Sequence, residues 1–174
     1  MGDLTVVFGV SGVGKTTACA RLAQRHDDFR HITASELIGQ VRMSPDRSID
    51  QVSATQAEIV ERIHRLRDND PRRIILDGHC VIRLASRLYQ VPNDVIAALA
   101  PAVIILVEAE PETILKRRSD RDVPVRATTV AEVAQELSLT RKTCLAYNHE
   151  LSIPLKVFRS GESDLADQLF AFLT

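Results

Sequence analysis

Tryptophan is absent, and aromatic residues make up only 4% of the 174-residue chain. A single-strand nucleic-acid binder that stacks bases on aromatic faces is therefore not expected. Charge of one sign is not in excess either: 22 Lys and Arg stand against 23 Asp and Glu, for a formal charge of −1 and a pI near 6.5. The bulk basic field of a dedicated nucleic-acid partner is missing. No apolar run approaches the ~18 residues of a membrane span. The N-terminus lacks a basic stretch followed by a long apolar one, so neither a membrane partner nor a secretory leader is expected. Cysteines number three, Cys19, Cys80 and Cys144, with no C-x-x-C spacing. Three reduced thiols in a cytoplasmic protein are the expectation.

What is present is globular: 45% hydrophobic and 26% charged residues, in a length that suits one domain. No repeat, low-complexity tract or linker divides residues 1–174, so a single domain is expected. Leu4-Thr5-Val6-Val7-Phe8 is short, apolar and β-branched, which reads as a buried strand. Further strands are predicted over 30–33, 73–77, 103–107 and 155–158. Helices are predicted over 15–25, 35–41, 92–99, 130–149 and 164–172. Another starts at Pro111 and ends in Lys116-Arg117-Arg118, and Val52, Ile59, Val60, Ile63 and Leu66 fit one face of one more. Ser44-Pro45-Asp46 reads as a turn, and the polar stretch 119–129, with Pro124, as a loop. Strands that are nearly continuous apolar runs, alternating with helices, imply an α/β protein. Its five-stranded parallel sheet should carry helices on both faces. Ligands in such sheets bind beyond the carboxyl ends of the strands.

Gly9-Val10-Ser11-Gly12-Val13-Gly14-Lys15-Thr16-Thr17 satisfies G-x-x-x-x-G-K-[ST] between a predicted strand and a predicted helix. Glycines let the backbone curl so that N–H groups point at phosphate oxygens, and the helix dipole adds to the attraction. Lys15 would neutralise β- and γ-phosphate charge, and the Thr16 hydroxyl would ligate Mg²⁺. Asp77 ends a strand, where a second metal-binding acid is expected. The fold class expected is thus a P-loop NTPase three-layer sandwich that binds a nucleoside triphosphate with Mg²⁺. Nucleotide-binding residues are expected at Gly9, Ser11, Gly12, Val13, Gly14, Lys15, Thr16 and Thr17, with Thr16 and Asp77 at the metal. Adjacent side chains of an extended segment point apart, so His79 and Cys80 are assigned to substrate contact or packing and not to a metal.

A phosphate loop defines the ligand and not the reaction. No N-K-x-D stands here to read guanine, and the chain is short for a remodelling ATPase with a helical lid domain. The segments His31-Ile32-Thr33-Ala34-Ser35-Glu36-Leu37-Ile38 and Ile75-Leu76-Asp77-Gly78-His79 follow the loop in order. After them come Pro92 with Val95 and Leu99, then Pro101 and 103–107, then the helix ending in paired arginines. Arg141 and Tyr147 stand six apart before the last strand. In these features the sequence resembles the nucleoside monophosphate kinases, in particular the archaeal type of adenylate kinase. The resemblance implies transfer of the ATP γ-phosphoryl to a nucleoside monophosphate, AMP being favoured. Catalytic roles are implied for Lys15, Arg117, Arg121, Arg126 and Arg141, with a short arginine-rich lid near 119–129. It places the donor nucleotide near Arg117, Ser160 and Gly161, and the acceptor near Ser35, Glu36, Arg42, His79 and Arg83. Gly39 stands where classical adenylate kinases have an arginine, and Arg42 is the nearest. The acceptor segment has His79-Cys80 after Asp77-Gly78, with its arginine at Arg83.

The acceptor of a monophosphate kinase is already an anionic oxygen. Catalysis is then alignment plus charge neutralisation, without a general base. Two alternatives stay open at this stage. A kinase of a nucleoside or metabolite hydroxyl would use a base, Glu36 or Asp77 being the candidates. A slow regulatory ATPase would need no acceptor. The oligomeric state, a homo-oligomer included, stays open too.

Overall fold

The structure, a computed structural model, describes residues 3–39, 46–85, 87–120, 129–161 and 164–174. In chain order its elements are β1 (Leu4–Phe8), α1 (Lys15–Arg25), β2 (Phe29–Thr33), α2 (Ala34–Ile38) and α3 (Ile49–Asn69). They continue as β3 (Arg73–Asp77), β4 (Val81–Arg83), β5 (Leu88–Gln90), α4 (Asn93–Leu99), β6 (Val103–Glu108), α5 (Pro111–Ser119), α6 (Val130–Leu151), β7 (Leu155–Arg159) and α7 (Leu165–Leu173).

Five strands form one parallel sheet in the order β2-β3-β1-β6-β7. The first strand is central, with Val6 opposite Leu76 on one side and Ile104 on the other. The loop after Phe8 therefore emerges between the carboxyl ends of β3 and β6, where an α/β sheet binds its ligand. The period-two rule for strands sorts the core. Leu4, Val6, Phe8, Ile74, Leu76, Ile104 and Leu106 enter one cluster, with Ile59 and Ile63 of α3, Ile96 of α4 and Tyr147 of α6. Val7, Ile75, Ile105 and Val107 enter the other, with Leu22 of α1, Ile114 of α5 and Leu169 of α7. Each fully buried aliphatic side chain contributes about 1.5–3 kcal/mol, so both faces hold the sheet. The Tyr147 hydroxyl, deep in the first cluster, donates to Val91 O at 2.5 Å.

The expected strands and helices are found, most with ends within about two residues of the prediction, the scatter usual for helix ends. α3 starts earlier than its apolar periodicity, because Ser48 and Gln51 form a reciprocal capping box. The antiparallel hairpin of β4 and β5 was not expected. Its strands are three residues long with half-buried side chains, too short to show alternation. The described part of α2 closes at Gly39, and the Ser44-Pro45 turn lies outside the described residues. Among the described residues no helix is long and apolar enough to cross a membrane. All three cysteines are unpaired and buried.

Candidate active site

Between β1 and α1 the chain makes a turn that only glycine permits. Gly9 has φ +154°, and a Cβ there would lie 2.5 Å from Val107 O on the neighbouring strand. Gly12 has φ +89°, and its Cβ would press on Arg118 Cγ at 3.2 Å. The resulting loop leads directly into the first turn of α1, whose unpaired N–H groups and dipole favour a phosphate. Lys15 is only 4% exposed. Its Nζ donates to Gly9 O at 2.9 Å and lies 3.8 Å from Asp77 Oδ1, so the ammonium is held across the mouth of the loop.

Asp77 is brought to the loop by the pairing of β3 with β1. Its Oδ2 accepts from the Thr16 hydroxyl at 2.5 Å and stands 3.8 Å from His31 Nε2. Burial alone would raise its carboxyl, but His31, Lys15 and Thr16 outweigh that and hold it below the ordinary aspartate range. A hydroxyl and an ionised carboxylate side by side form a hard oxygen donor set. It suits Mg²⁺, which takes one or two protein oxygens beside its phosphates and waters. His79 Nδ1 lies 2.9 Å from Gly9 O, so it carries the proton and donates. The Lys15 charge, with burial, lowers its imidazole to about 3, and the ring is neutral at neutral pH.

Beside the loop lies a cavity of about 360 Å³. Most of its wall is apolar, from Phe8, Ile59, Leu76, Val91, Ile96 and Leu99 among others. Polar groups are few: Ser11 of the loop, Gln56 and Arg47 on or before α3, His79, and a cluster of Arg83, Arg118, Glu136 and Thr140. The hairpin of β4 and β5 contributes Val81, Ile82, Arg83 and Leu88, so the unexpected element builds this wall.

The arginines divide by location. Arg117 NH1 donates to Val13 O and to Ser160 Oγ, both at 3.0 Å, joining α5, the phosphate loop and the turn after β7. This is the neighbourhood expected for the donor nucleotide, with Gly161 next in chain at φ +112°. Arg118 is buried, its Nε donating to Ser11 O at 2.9 Å. Arg141 stands apart from the cavity. It forks onto Glu108, Nε donating at 2.8 Å, with its side chain 48% exposed, in a small cleft with Glu110 and Arg159.

Of the residues expected at the acceptor, His79 and Arg83 line the cavity. Ser35 and Glu36 lie on α2 just outside its lining. The Glu36 carboxylate accepts from Thr33 N at 2.6 Å as part of a capping box, which holds it below its ordinary value. Thr17 is exposed on the first turn of α1. Arg42, Arg121 and Arg126 lie outside the described residues, as does the expected lid apart from Ser119, Asp120 and Thr129. Gln56 and Glu136 are site residues that sequence reasoning missed, and Arg118 was read there only as one of the paired arginines that end the helix from Pro111. A signal for Glu136 exists: it falls on the buried stripe Val133, Thr140, Thr143, Tyr147 of α6, where an acidic residue needs a partner.

A central strand running into a glycine loop, a buried lysine and a helix, with an acid at the end of the next strand, defines a P-loop nucleotide-binding protein. The chain belongs to the AAA domain family, whose family model matches residues 8–135. It is similar to the adenylate kinase of Methanopyrus kandleri, 26% identical, covering 99% of this chain and 97% of that one. It is also similar to that of Thermococcus kodakarensis, 29% identical, covering 93% and 88%. Among solved structures it shares its fold with a sugar kinase from a Janibacter species (TM-score 0.65, 17% identity, 99% and 95% covered). The shikimate kinase of Bacteroides thetaiotaomicron has the same fold (TM-score 0.61, 9% identity, 98% of each chain).

Proposed function

We propose that this protein is an ATP-dependent nucleoside monophosphate kinase that transfers the γ-phosphoryl group to an acceptor phosphate, AMP being favoured by the likeness to adenylate kinases. The observation that carries the reading is the mainly apolar cavity that opens beside the phosphate loop and holds three arginines, Arg47, Arg83 and Arg118, in its wall. Apolar walls suit a flat base, and guanidinium forks suit a phosphate. A sugar or another polyol would need many more polar partners than this wall offers. A hydroxyl acceptor would also call for a base. Both candidates are committed, Glu36 to its helix cap and Asp77 to Thr16 and Lys15. An acceptor phosphate is ionised already and needs neither.

Lys15 and the loop N–H groups neutralise and align the transferred group. Thr16 and Asp77 would hold Mg²⁺, which adds charge neutralisation and orientation at the donor phosphates. Arg117, beside the loop, and Arg141 are assigned to developing phosphoryl charge on the resemblance, together with Arg121 and Arg126 in an arginine-rich lid near 119–129. A cytoplasmic setting fits the three unpaired thiols. The test is ATP consumption with a panel of nucleoside monophosphates, nucleosides and small hydroxyl metabolites. Turnover should depend on a monophosphate, AMP above the others. Turnover stimulated only by a hydroxyl compound, or indifferent to every acceptor, would reject the assignment.

A further inference from the structure

Three charged side chains meet in the cavity wall next to the phosphate loop. Glu136, from α6, is 7% exposed. Its Oε1 accepts from Arg83 Nε at 2.6 Å and from Arg83 NH2 as well. Its Oε2 accepts from Arg118 NH2 at 2.7 Å. Arg118 in turn donates to Ser11 O, which ties the cluster to the loop. All four residues line the same cavity.

A guanidinium fork binds two oxygens of a carboxylate or of a phosphate with the same geometry. Both arms of the Arg83 fork close on one oxygen of Glu136, Oε1. We propose that Glu136 is a built-in counter-anion of the acceptor-phosphate subsite, so that acceptor binding exchanges one anion for another on Arg83. The inference rests on the monophosphate-kinase reading. Its consequence is selectivity. Two cations against one anion leave a net attraction for negative charge, yet an incoming group must outcompete a carboxylate already in place. A phosphomonoester dianion, with more charge and a third oxygen, can do so. A neutral nucleoside cannot. The exchange also holds acceptor affinity down. A purely structural Glu136 makes the opposite prediction, since loosening the cluster would then weaken acceptor binding.

The experiment measures AMP and adenosine binding by calorimetry for wild type, Glu136→Gln, Arg83→Gln and the double variant, beside steady-state kinetics with ATP. Glu136→Gln should bind AMP about tenfold more tightly, the scale of one charge-assisted bond, with adenosine binding unchanged. Its KM for AMP should fall by a similar factor while kcat changes less. Arg83→Gln should weaken AMP binding about tenfold and leave adenosine alone. In the double variant the gain should vanish, because Glu136 acts through Arg83. AMP binding that is unchanged or weaker in a folded Glu136→Gln overturns the proposal. If that variant fails to fold because Arg118 is left buried without its counter-charge, Arg83→Gln decides, its side chain being 42% exposed. AMP affinity untouched by Arg83→Gln then overturns it. Wild-type turnover separates the two readings. A monophosphate consumed normally alongside an inert Glu136→Gln removes the counter-anion alone, whereas no monophosphate acceptor at all removes the kinase assignment.

Discussion

Asp70 and Asp77 flank the same strand, β3, and both are buried carboxylates held by cations. Asp70, just before the strand, accepts from Arg72 NH2 and Arg30 NH1, both at 2.7 Å, and from Arg72 N at 3.0 Å. Hydrogen bonds from Arg72, then Arg30, keep its carboxyl well below the ordinary value. Asp77, at the far end, is likewise held low, but its partners are the Thr16 hydroxyl, the Lys15 ammonium and His31. At Asp70 guanidinium forks and a backbone N–H fill the lone pairs and clamp β2 to β3. At Asp77 two of the partners, Thr16 and Lys15, belong to the glycine loop between β1 and α1. A parallel sheet points every strand the same way, so loops that can host a ligand converge at the carboxyl ends alone. Residue type and burial are shared by the two acids. Position along the strand separates a clamp from a site.

The sharpest way to break this contrast is to empty the Asp77 side of its charge. Lys15→Ala should lower phosphoryl transfer on the order of 10³-fold while the circular dichroism spectrum stays native, because the lysine acts on transition-state charge. Activity within a few fold of wild type would refute its assignment. Next, Asp77→Asn should cut turnover on the order of 10²-fold and raise the Mg²⁺ concentration needed for half-maximal rate. A Mg²⁺ titration identical to wild type would remove Asp77 from the metal. Arg141→Ala should lower turnover about tenfold with ATP affinity held, as expected of a group that meets charge mainly in the transition state. Calorimetry showing ATP weakened while turnover survives would make it a ground-state binder.

The smallest kinetic effect belongs to Asp70→Asn, which should leave turnover at the wild-type level. Its effect is on stability and depends on pH. The folded-state carboxyl is depressed, so its contribution is present above the unfolded value of 3.8 and fades as pH falls below it. Thermal melts should show the variant less stable than wild type at neutral pH, with the gap closing in acid. A kinetic defect in Asp70→Asn as large as that of Asp77→Asn would erase the distinction between the two ends of the strand.

The phosphate loop was legible because its chemistry is local. Nine consecutive residues carry the glycines, the lysine and the hydroxyl, and the preceding apolar run places them at a strand end. The five strands were legible for a similar reason, since a buried parallel strand is a short apolar run whatever it pairs with. The cavity beside the phosphate loop has no such run. It is gathered from the end of β1, α3, the hairpin, α4, α5 and α6, and side chains far apart in sequence meet there. Glu36 shows the limit of reading residue types. An acid three residues after Thr33 serves equally as a base or as the far half of a capping box, and the backbone geometry of α2 decides for the cap.

By itself, then, the chain order determined a parallel α/β sheet, the loop that cradles phosphate and the lysine and threonine within it, because these depend on neighbours within about one turn or one strand. Only the tertiary structure decided that Asp77 faces Thr16, that Arg118 turns inward to Ser11 and Arg141 outward to Glu108, and that Glu136 closes on two arginines. Those outcomes turn on which strand lies beside which and how each helix is rotated over the sheet. Each pairing joins side chains from distant segments, and a residue's place on a helix face shows that it is buried without showing which partner it meets.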